Sequence, residues 1–323
     1  MPQFSFHASQ EQFPPEQLLA LAQQAEAAGF DAVFSSDHAQ PWSPSQGHSA
    51  LSWVWLGAAL QATRRLRFGT ITVPGGWRYQ PLVLAQGIAT LQRLYPGRLP
   101  WVALGSGEAV NEGLVGQGWP DKPERNQRLQ RAAQAMRRLL DGERVTEPGP
   151  PAVVDARLWC RPPQRTVLVG AATSVETARW LGGWAEGLLT VSHDLQQLRA
   201  LIAAFREQAG PDKPVHVKVD LSWADTDAQA LEQAFEQWRF NAGGSQANAD
   251  ARQPEDFVRL TAHLRPEDMR AKVMVAADLG RHVDHLRQVA ALGVTSIDLH
   301  QVGGDQAAFI EAFGREVLPA LRA

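Results

Sequence analysis

Polar side chains at the ends of short apolar segments are where this sequence could do chemistry. Asp37 and His38 directly follow the apolar run 32–36. A histidine at such a position is a suitable proton acceptor near neutral pH, which indicates acid–base catalysis. The alternatives are a loop histidine that caps the next helix, and a metal ligand. The nine histidines show no metal-ligand spacing, so the sequence predicts that no metal is bound.

The same kind of polar ending recurs along the chain. Other residues at the ends of apolar segments are His7, Glu11, Thr70, Thr72, Gly107, Glu108, Asn111, Ser192, His193, Trp223 and His300. Any one of them could be a solvated loop residue. Because apolar strands that repeatedly end in polar groups are hard to explain by stability alone, the collective pattern favours an enzyme.

Two glycine-rich turns could hold a ligand. The turn at 105–108 is a weak signal by itself, because many such turns exist only for their backbone angles, and it is not a dinucleotide fingerprint. The turn Gly170, Ala171, Ala172, Thr173 joins a strand to a helix N-terminus, where backbone N–H groups and the helix dipole favour an anion. The alternative for this second turn is an ordinary N-cap.

An alternation of strands and helices must position these groups. Apolar runs bounded by turn residues predict eight strands, plus a short extra one at 272–276. The eight are 4–7, 32–36, 66–73, 99–104, 166–169, 187–191, 215–222 and 295–299. This repetition predicts a (β/α)8 TIM barrel, a single domain over 1–323 whose active site lies at the carboxyl ends of the strands. A proline-rich connection at 148–163 precedes strand five, and 243–270 form an insertion or lid after strand seven.

Composition narrows the class of protein further. The chain has 323 residues, 44% of them apolar, and a formal net charge of −3 without a basic run, so nucleic acid is not an expected partner. The N-terminus has no signal-peptide pattern, and no apolar run is long enough to span a bilayer. We therefore expect a cytoplasmic protein that does not bind membranes. The single cysteine, Cys160, excludes an internal disulfide.

Several segments resemble the luciferase-like monooxygenase superfamily, and within it the F-420-dependent glucose-6-phosphate dehydrogenases. One matching segment is Ser-Asp-His-Ala-Gln-Pro-Trp at 36–42. The other matching segments are 9–13, 46–48, 78–81, 94–98 and 105–112. The resemblance returns at 167–190 and 278–300, where the Ala-Asp-Leu-Gly-Arg-His segment at 277–282 is similar to an offshoot named non-F-420 flavinoid oxidoreductases.

The resemblance implies a role for each matching side chain. His38 would be the general base that takes the proton of the substrate hydroxyl, and Trp42 would line the reaction centre. Glu11 and Glu108 would face the cofactor ring and the substrate. A non-prolyl cis peptide would support the ring at about Ile71–Thr72. The cofactor site is predicted at Asp37, Thr70, Ile71, Thr72, Gly107 and Asn111, with Gly170, Ala171, Ala172 and Thr173 around the phosphate.

The sequence departs from the family where a sugar phosphate would bind. The family's three basic residues match His193, Arg259 and Lys272 here, and none is identical. Because all three can carry a positive charge, an anionic small-molecule substrate is expected, without identifying it as glucose 6-phosphate.

The function predicted is hydride transfer between a substrate carbon and a bound FMN or F-420 ring, with FMN favoured over F-420. The alternatives are a monooxygenase that uses reduced FMN and oxygen, and a flavin-binding protein without catalysis. The tryptophan-rich helix at 51–60 predicts the interface of a homodimer.

Overall fold

Strands and helices alternate along the whole chain in a computed structural model that describes residues 1–323. The strands are β1 (Gln3–Ala8), β2 (Ala32–Ser35), β3 (Arg67–Thr70), β4 (Val73–Pro74), β5 (Trp101–Gly105), β6 (Val145–Glu147), β7 (Val153–Ala156), β8 (Val167–Ala171), β9 (Leu188–Val191), β10 (Val215–Ser222), β11 (Met274–Val275) and β12 (Ser296–Gln301). The helices are α1 (Pro15–Ala27), α2 (Ser52–Ala62), α3 (Pro81–Leu94), α4 (Ala109–Glu112), α5 (Lys122–Leu140), α6 (Val175–Gly182), α7 (Leu195–Ala209), α8 (Asp227–Trp238), α9 (Ser245–Asp250), α10 (Pro254–Leu260), α11 (Leu279–Ala290), α12 (Gln306–Ala312) and α13 (Leu318–Arg322).

Parallel strands form a barrel. The hydrogen-bonded order of the main sheet is β3-β2-β1-β12-β10-β9-β8-β5-β4, and β3 and β4 are two halves of one interrupted strand. The peptide bond between Ile71 and Thr72, in the gap between these halves, is cis, at the position that the family resemblance implied. The barrel closes where the N–H of Phe68 in β3 donates to the carbonyl oxygen of Arg98, just before β5, at 2.7 Å. The predicted (β/α)8 barrel is confirmed.

The long connection between β10 and β12 contains the predicted insertion. After α8 the chain forms a short 3-10 helix, then α9 and α10, and then a second 3-10 helix. β11 follows and pairs in parallel with the end of β10, where Ser222 is opposite Val275. The ring of Phe257 in α10 lies 5.0 Å from the ring of Trp42, a predicted site residue. The insertion therefore packs against the predicted site, and its action as a lid stays a prediction.

The proline-rich connection before β8 is more ordered than the sequence indicates. β6 and β7 pair as an antiparallel hairpin, in which Val145 is opposite Ala156. Pro148, Pro150 and Pro151 lie in the turn between these strands. Because proline is typical of turns and unfavourable in strands, the local pattern hides the two short strands on either side.

The interior of the barrel has an apolar half and a polar half. Side chains alternate between the two faces of a strand, so every second residue points inward. The apolar half consists of Ala32, Phe34, Ile71, Trp101, Ala103, Val169 and Leu189. The polar half comes from β1, β10 and β12 and consists of Ser5, His7, His216, Lys218, Asp220, Ser296, Asp298 and His300, all buried. His7 and His300 thus lie inside the barrel and are not rim residues.

These buried polar groups hydrogen-bond to one another, as buried polar groups must if they are not to destabilise the fold. Asp298 accepts from the hydroxyl of Ser5 at 2.7 Å and pairs with Nδ1 of His7 at 2.8 Å. His216 pairs with the hydroxyl of Ser296 at 2.7 Å. The outward-facing residues of the same strands, such as Val217 and Ile297, belong to the main hydrophobic core between barrel and helices.

None of the helices combines the length and the apolar character that crossing a membrane requires.

Candidate active site

His38 lies between two carboxylates at the carboxyl end of β2. Its Nδ1 is 3.6 Å from Oε1 of Glu11, and its Nε2 is 3.7 Å from Oε2 of Glu108. Both distances exceed a hydrogen bond, so the contacts are electrostatic. Oε1 of Glu11 and Nδ1 of His38 are buried and have no hydrogen-bond partner. The structure thus brings together three of the four predicted catalytic residues around one imidazole ring.

Glu11 is a fixed anion beside His38. Its side chain is 1% exposed, and its Oε2 accepts from the hydroxyls of Ser36 at 2.7 Å and Ser9 at 2.8 Å. Burial opposes the charge of the Glu11 carboxyl, but attraction to His38 and the hydroxyl hydrogen bonds hold its pKa below the ordinary value. A negative charge next to an imidazole stabilises the protonated ring, which favours His38 as a proton acceptor.

Glu108 has the opposite protonation behaviour. Its side chain is 29% exposed. Burial raises the pKa of Glu108 to about 7, against the attraction of His38 and with a contribution from the neighbouring carboxylate of Glu112. Two carboxyl groups whose environments push their pKa values apart are a common arrangement in acid–base sites. His38 therefore has a permanent anion on one side and, on the other, a carboxyl that titrates near neutral pH.

Asp37 belongs to a buried ion cluster with Arg78 and Glu112. Nη2 of Arg78 donates to the carbonyl oxygen of Asp37 at 2.8 Å and to its Oδ2 at 3.2 Å. Nε of Arg78 donates to Oε1 of Glu112 at 3.0 Å, and the hydroxyl of Tyr79 donates to Oδ1 of Asp37 at 2.9 Å. Burial raises the pKa of both carboxyls, and the cation of Arg78 opposes this. The cluster fixes the turn that carries His38.

Arg78, Tyr79 and Glu112 were not assigned a role from the sequence. Each lies in a segment that matches the family, which was the available signal. Their partner Asp37 is far away along the chain, so no local pattern indicates that the four side chains meet. Because both carboxylate oxygens of Asp37 are engaged within the protein, its contact with a cofactor ring stays a prediction.

Asn111 and Gly107 shape the loops around the histidine. Oδ1 of Asn111 accepts from the N–H groups of Ala39 at 2.8 Å and Gln40 at 3.3 Å, which holds the loop after His38. Gly107 has φ of +81°, and a Cβ there would lie 2.6 Å from Cγ of Glu112. A side chain at this position would therefore disturb both the backbone and the ion cluster.

Trp42 forms a wall of the site. Its ring lies 4.9 Å from the ring of His38 and is 7% exposed. Behind it pack Phe257 and, at 6.5 Å in an edge-to-face arrangement, Trp238. The fourth predicted catalytic residue therefore also contacts His38.

The residues predicted to contact the cofactor ring lie at the ends of the adjacent strands. Thr70 is fully buried at the end of β3, and its hydroxyl has no partner. Thr72 lies close to the backbone of Gly105, where a Cβ would approach its hydroxyl to 3.2 Å.

The second glycine-rich turn leaves one hydroxyl free. Gly170 and Ala171 end β8, and Ala172 is buried while Thr173 is exposed. The N-cap of α6 is the next residue, Ser174, whose hydroxyl accepts from the N–H of Thr177 at 3.3 Å. The hydroxyl of Thr173 is therefore not needed for capping.

The three residues predicted to bind an anionic substrate separate into two groups. Burial lowers the pKa of His193, Asp220 opposes this, and the cation of Lys272 lowers it further, so the neutral form of His193 is favoured. Arg259 is 72% exposed and forms an ion pair with Asp256 of its own helix. A contact of Arg259 with the same substrate stays a prediction. No group of three or more His, Cys, Asp or Glu side chains is arranged to hold a metal ion.

A parallel barrel with titratable groups at the carboxyl ends of its strands defines the class of protein, a TIM-barrel enzyme. The family model for luciferase-like monooxygenases matches residues 1–296. The chain belongs to this family, and it is an oxidoreductase.

The similarity to known proteins extends over the whole chain. It is 36% identical to the F-420-dependent glucose-6-phosphate dehydrogenase of Beutenbergia cavernae, with 100% of this chain and 98% of the relative covered. Among solved structures it is similar to an F-420-dependent secondary alcohol dehydrogenase in complex with an F-420–acetone adduct, at 30% identity, a TM-score of 0.93 and full coverage of both chains. The F-420-dependent tetrahydromethanopterin reductase of Methanopyrus kandleri, at 20% identity, TM-score 0.79 and 99% coverage of both chains, shares the fold.

Proposed function

We propose that this protein is an F-420-dependent dehydrogenase that oxidises a hydroxyl-bearing small molecule, with His38 as the general acid and base. The observation that carries the proposal is the position of His38 between the Glu11 anion and the titratable Glu108. The names of the relatives support F-420 as the cofactor. They give no support to the FMN that the sequence analysis favoured. The family's name refers to monooxygenase chemistry, but the relatives described above at 30% identity or more are dehydrogenases.

The residues around the barrel mouth fit a planar ring that carries a phosphate. Three buried polar atoms there have no partner within the protein, namely Oε1 of Glu11, Nδ1 of His38 and the hydroxyl of Thr70. The turn at 170–173 would hold the phosphate with backbone N–H groups and the hydroxyl of Thr173. When bound, F-420 supplies a ring carbon that accepts or donates a hydride.

The side chains of this chain would manage the proton. Nε2 of His38 would take the hydroxyl proton of the substrate, and the Glu11 carboxylate would stabilise the imidazolium that results. Glu108 is the partly exposed neighbour of the same nitrogen and would exchange the proton with solvent. Trp42 would restrict the space beside His38, which favours a small substrate. The cation of Lys272 would favour one that carries an anionic group, and His193, whose pKa is lowered, would contribute as a hydrogen-bonding neutral imidazole.

Equilibrium titration of the purified protein with F-420 and with FMN, followed by optical spectra, tests this function. We expect tighter binding of F-420, and loss of its oxidised absorption band when a secondary alcohol or a sugar phosphate is added. Binding of FMN alone would overturn the cofactor assignment. If neither compound binds, the proposed function fails.

Replacing Glu108 with glutamine is expected to simplify the pH dependence of turnover. In the wild type the kcat profile should bend near pH 7, where the Glu108 carboxyl titrates. The raised pKa also means that this residue stabilises the fold when protonated, and that this contribution is lost as pH rises through about 7. Glu108→Gln should therefore be at least as stable as the wild type above pH 7. A bend near pH 7 that persists in the variant would show that another group is responsible.

We also propose that the predicted homodimer forms through α2 and α3. The two helices are adjacent, since a Cβ at Gly87 of α3 would lie 3.8 Å from the Trp53 ring of α2. Apolar side chains are exposed at the start of both, with Leu51 49%, Val54 71% and Val83 58% exposed. Exposed apolar side chains on neighbouring elements are typical of interaction sites. Light scattering should give twice the chain mass for the wild type and the chain mass for the double variant Val54→Glu, Val83→Glu. A monomeric wild type would contradict the proposal.

A further inference from the structure

Asp220 lies in the polar half of the barrel and has a partner on each carboxylate oxygen. Oδ1 pairs with Nδ1 of His300 at 2.8 Å and also with the ammonium of Lys218. Oδ2 accepts from the indole N–H of Trp238 at 3.2 Å. The side chain is 8% exposed and does not contact His38. Each oxygen begins a chain of contacts that leads toward the acid–base site, and the two chains touch where the ring of His300 packs edge-to-face on Trp238 at 4.5 Å.

The first chain of contacts leads to Glu11. Nε2 of His300 lies 3.1 Å from Oε1 of Gln12, the residue after Glu11. The amide nitrogen of the Gln12 side chain donates to the carbonyl oxygen of Val302 at 2.9 Å. The oxygen and the nitrogen of this amide are therefore both held by residues at the end of β12. Because Gln12 is adjacent to Glu11, this anchor fixes the short turn that places the Glu11 carboxylate 3.6 Å from His38.

The second chain of contacts leads to Trp42. The N–H of Trp238 is held by Asp220, and the Trp238 ring packs edge-to-face on Trp42. The ring of Trp42 in turn lies 4.9 Å from the ring of His38. The orientation of this aromatic wall therefore depends on the same carboxylate as the Glu11 turn.

Asp220 can serve both chains of contacts because it stays ionised. Burial opposes its charge, but the ion pair with Lys218 and the hydrogen bond from His300 hold the pKa of its carboxyl well below the ordinary value. Asp298 and His7 lie in the same buried region and pair with each other. An ionised acceptor makes stronger hydrogen bonds than a neutral one, which suits a residue that must orient two neighbours.

We infer that Asp220 is a positioning residue for the acid–base site, which sets Glu11 through His300 and Gln12 and sets Trp42 through Trp238. The inference rests on the proposed function, because it gives His38 the catalytic role. The two chains of contacts are expected to affect different kinetic parameters. Loss of the first chain of contacts displaces the anion beside His38 and lowers kcat, whereas loss of the second displaces the wall beside the substrate and raises KM.

Two variants test the chains of contacts one at a time. Gln12→Met keeps the side-chain length but removes the contact to His300, and Trp238→Phe keeps an aromatic ring but removes the N–H. A displacement of about 1 Å at a reacting group can cost ~10²-fold in rate. We expect Gln12→Met to lose roughly tenfold to a hundredfold in kcat with little change in KM. Trp238→Phe should mainly raise KM, and Asp220→Asn should show both effects.

Ser296→Ala is the matched control, because it removes a buried hydrogen bond of the polar half at 2.7 Å without a route to His38. Rates are normalised to the amount of F-420 bound, so a partly unfolded variant does not imitate a positioning effect. Unchanged kcat and KM in both single-contact variants would overturn the inference. The inference would also be overturned if Ser296→Ala lost as much in kcat or KM as they do, because that outcome would indicate a purely structural role. His38→Ala is measured in parallel, and if it too keeps full turnover, the proposed function itself fails.

Discussion

Replacing His38 with alanine is expected to remove most of kcat while F-420 still binds. General acid–base catalysis is worth about 10²–10⁴-fold, and a loss of this size is expected here. The reason is that no other base lies between the two carboxylates, since Glu11 is buried and Glu108 is largely protonated below pH 7. The measurement is steady-state turnover with F-420 and the best alcohol substrate, together with a binding titration of the same preparation.

The control for this variant is His263→Ala, because His263 is an exposed histidine of the insertion. It should keep both turnover and affinity. If His38→Ala retained wild-type kcat, the general-base role would be wrong. If it lost F-420 binding instead, His38 would belong to the cofactor site and not to the proton transfer.

Replacing Arg78 with leucine is expected to cause the largest loss of stability among single changes at the site. Its carboxylate partners Asp37 and Glu112 have side chains that are 0% and 1% exposed. Removing one partner of a buried ion cluster leaves uncompensated charge and typically costs about 3–5 kcal/mol in the free energy of unfolding. Urea denaturation at pH 8 measures this loss.

The loss should become smaller as the pH falls, because burial raises the pKa of Asp37 and Glu112 and protonation removes their unpaired charges. Arg138→Leu is the matched control, since Arg138 pairs with Glu143 on the surface with side chains 44% and 53% exposed. Exposed ion pairs contribute about 0–1 kcal/mol. Equal losses in the two variants would contradict a special role for the Arg78 cluster. In folded Arg78→Leu protein, turnover should also fall, because the turn that carries His38 is then free to move.

The sequence could predict the elements whose signals are local. Apolar runs between turn residues located all eight strands of the barrel, and the run Val215–Ser222 agrees with β10 residue for residue. Proline made the hairpin of β6 and β7 look like an irregular connection. The third strand was predicted as continuous over 66–73, whereas the structure divides it into β3 and β4. The family resemblance, and not the periodicity, located the cis peptide bond between these halves.

The sequence by itself determined the barrel, the placement of His38 and the two glutamates at the strand ends, and the family. These follow from short-range periodicity and from motifs that are contiguous along the chain. Only the tertiary structure decided which charges meet. Arg78 pairs with Asp37 and Glu112, and Asp220 connects to both Glu11 and Trp42, through contacts between residues far apart in the sequence. Protonation was decided in the same way, because the pKa values of Glu11 and Glu108 diverge through burial and neighbouring groups that exist only once the chain has folded.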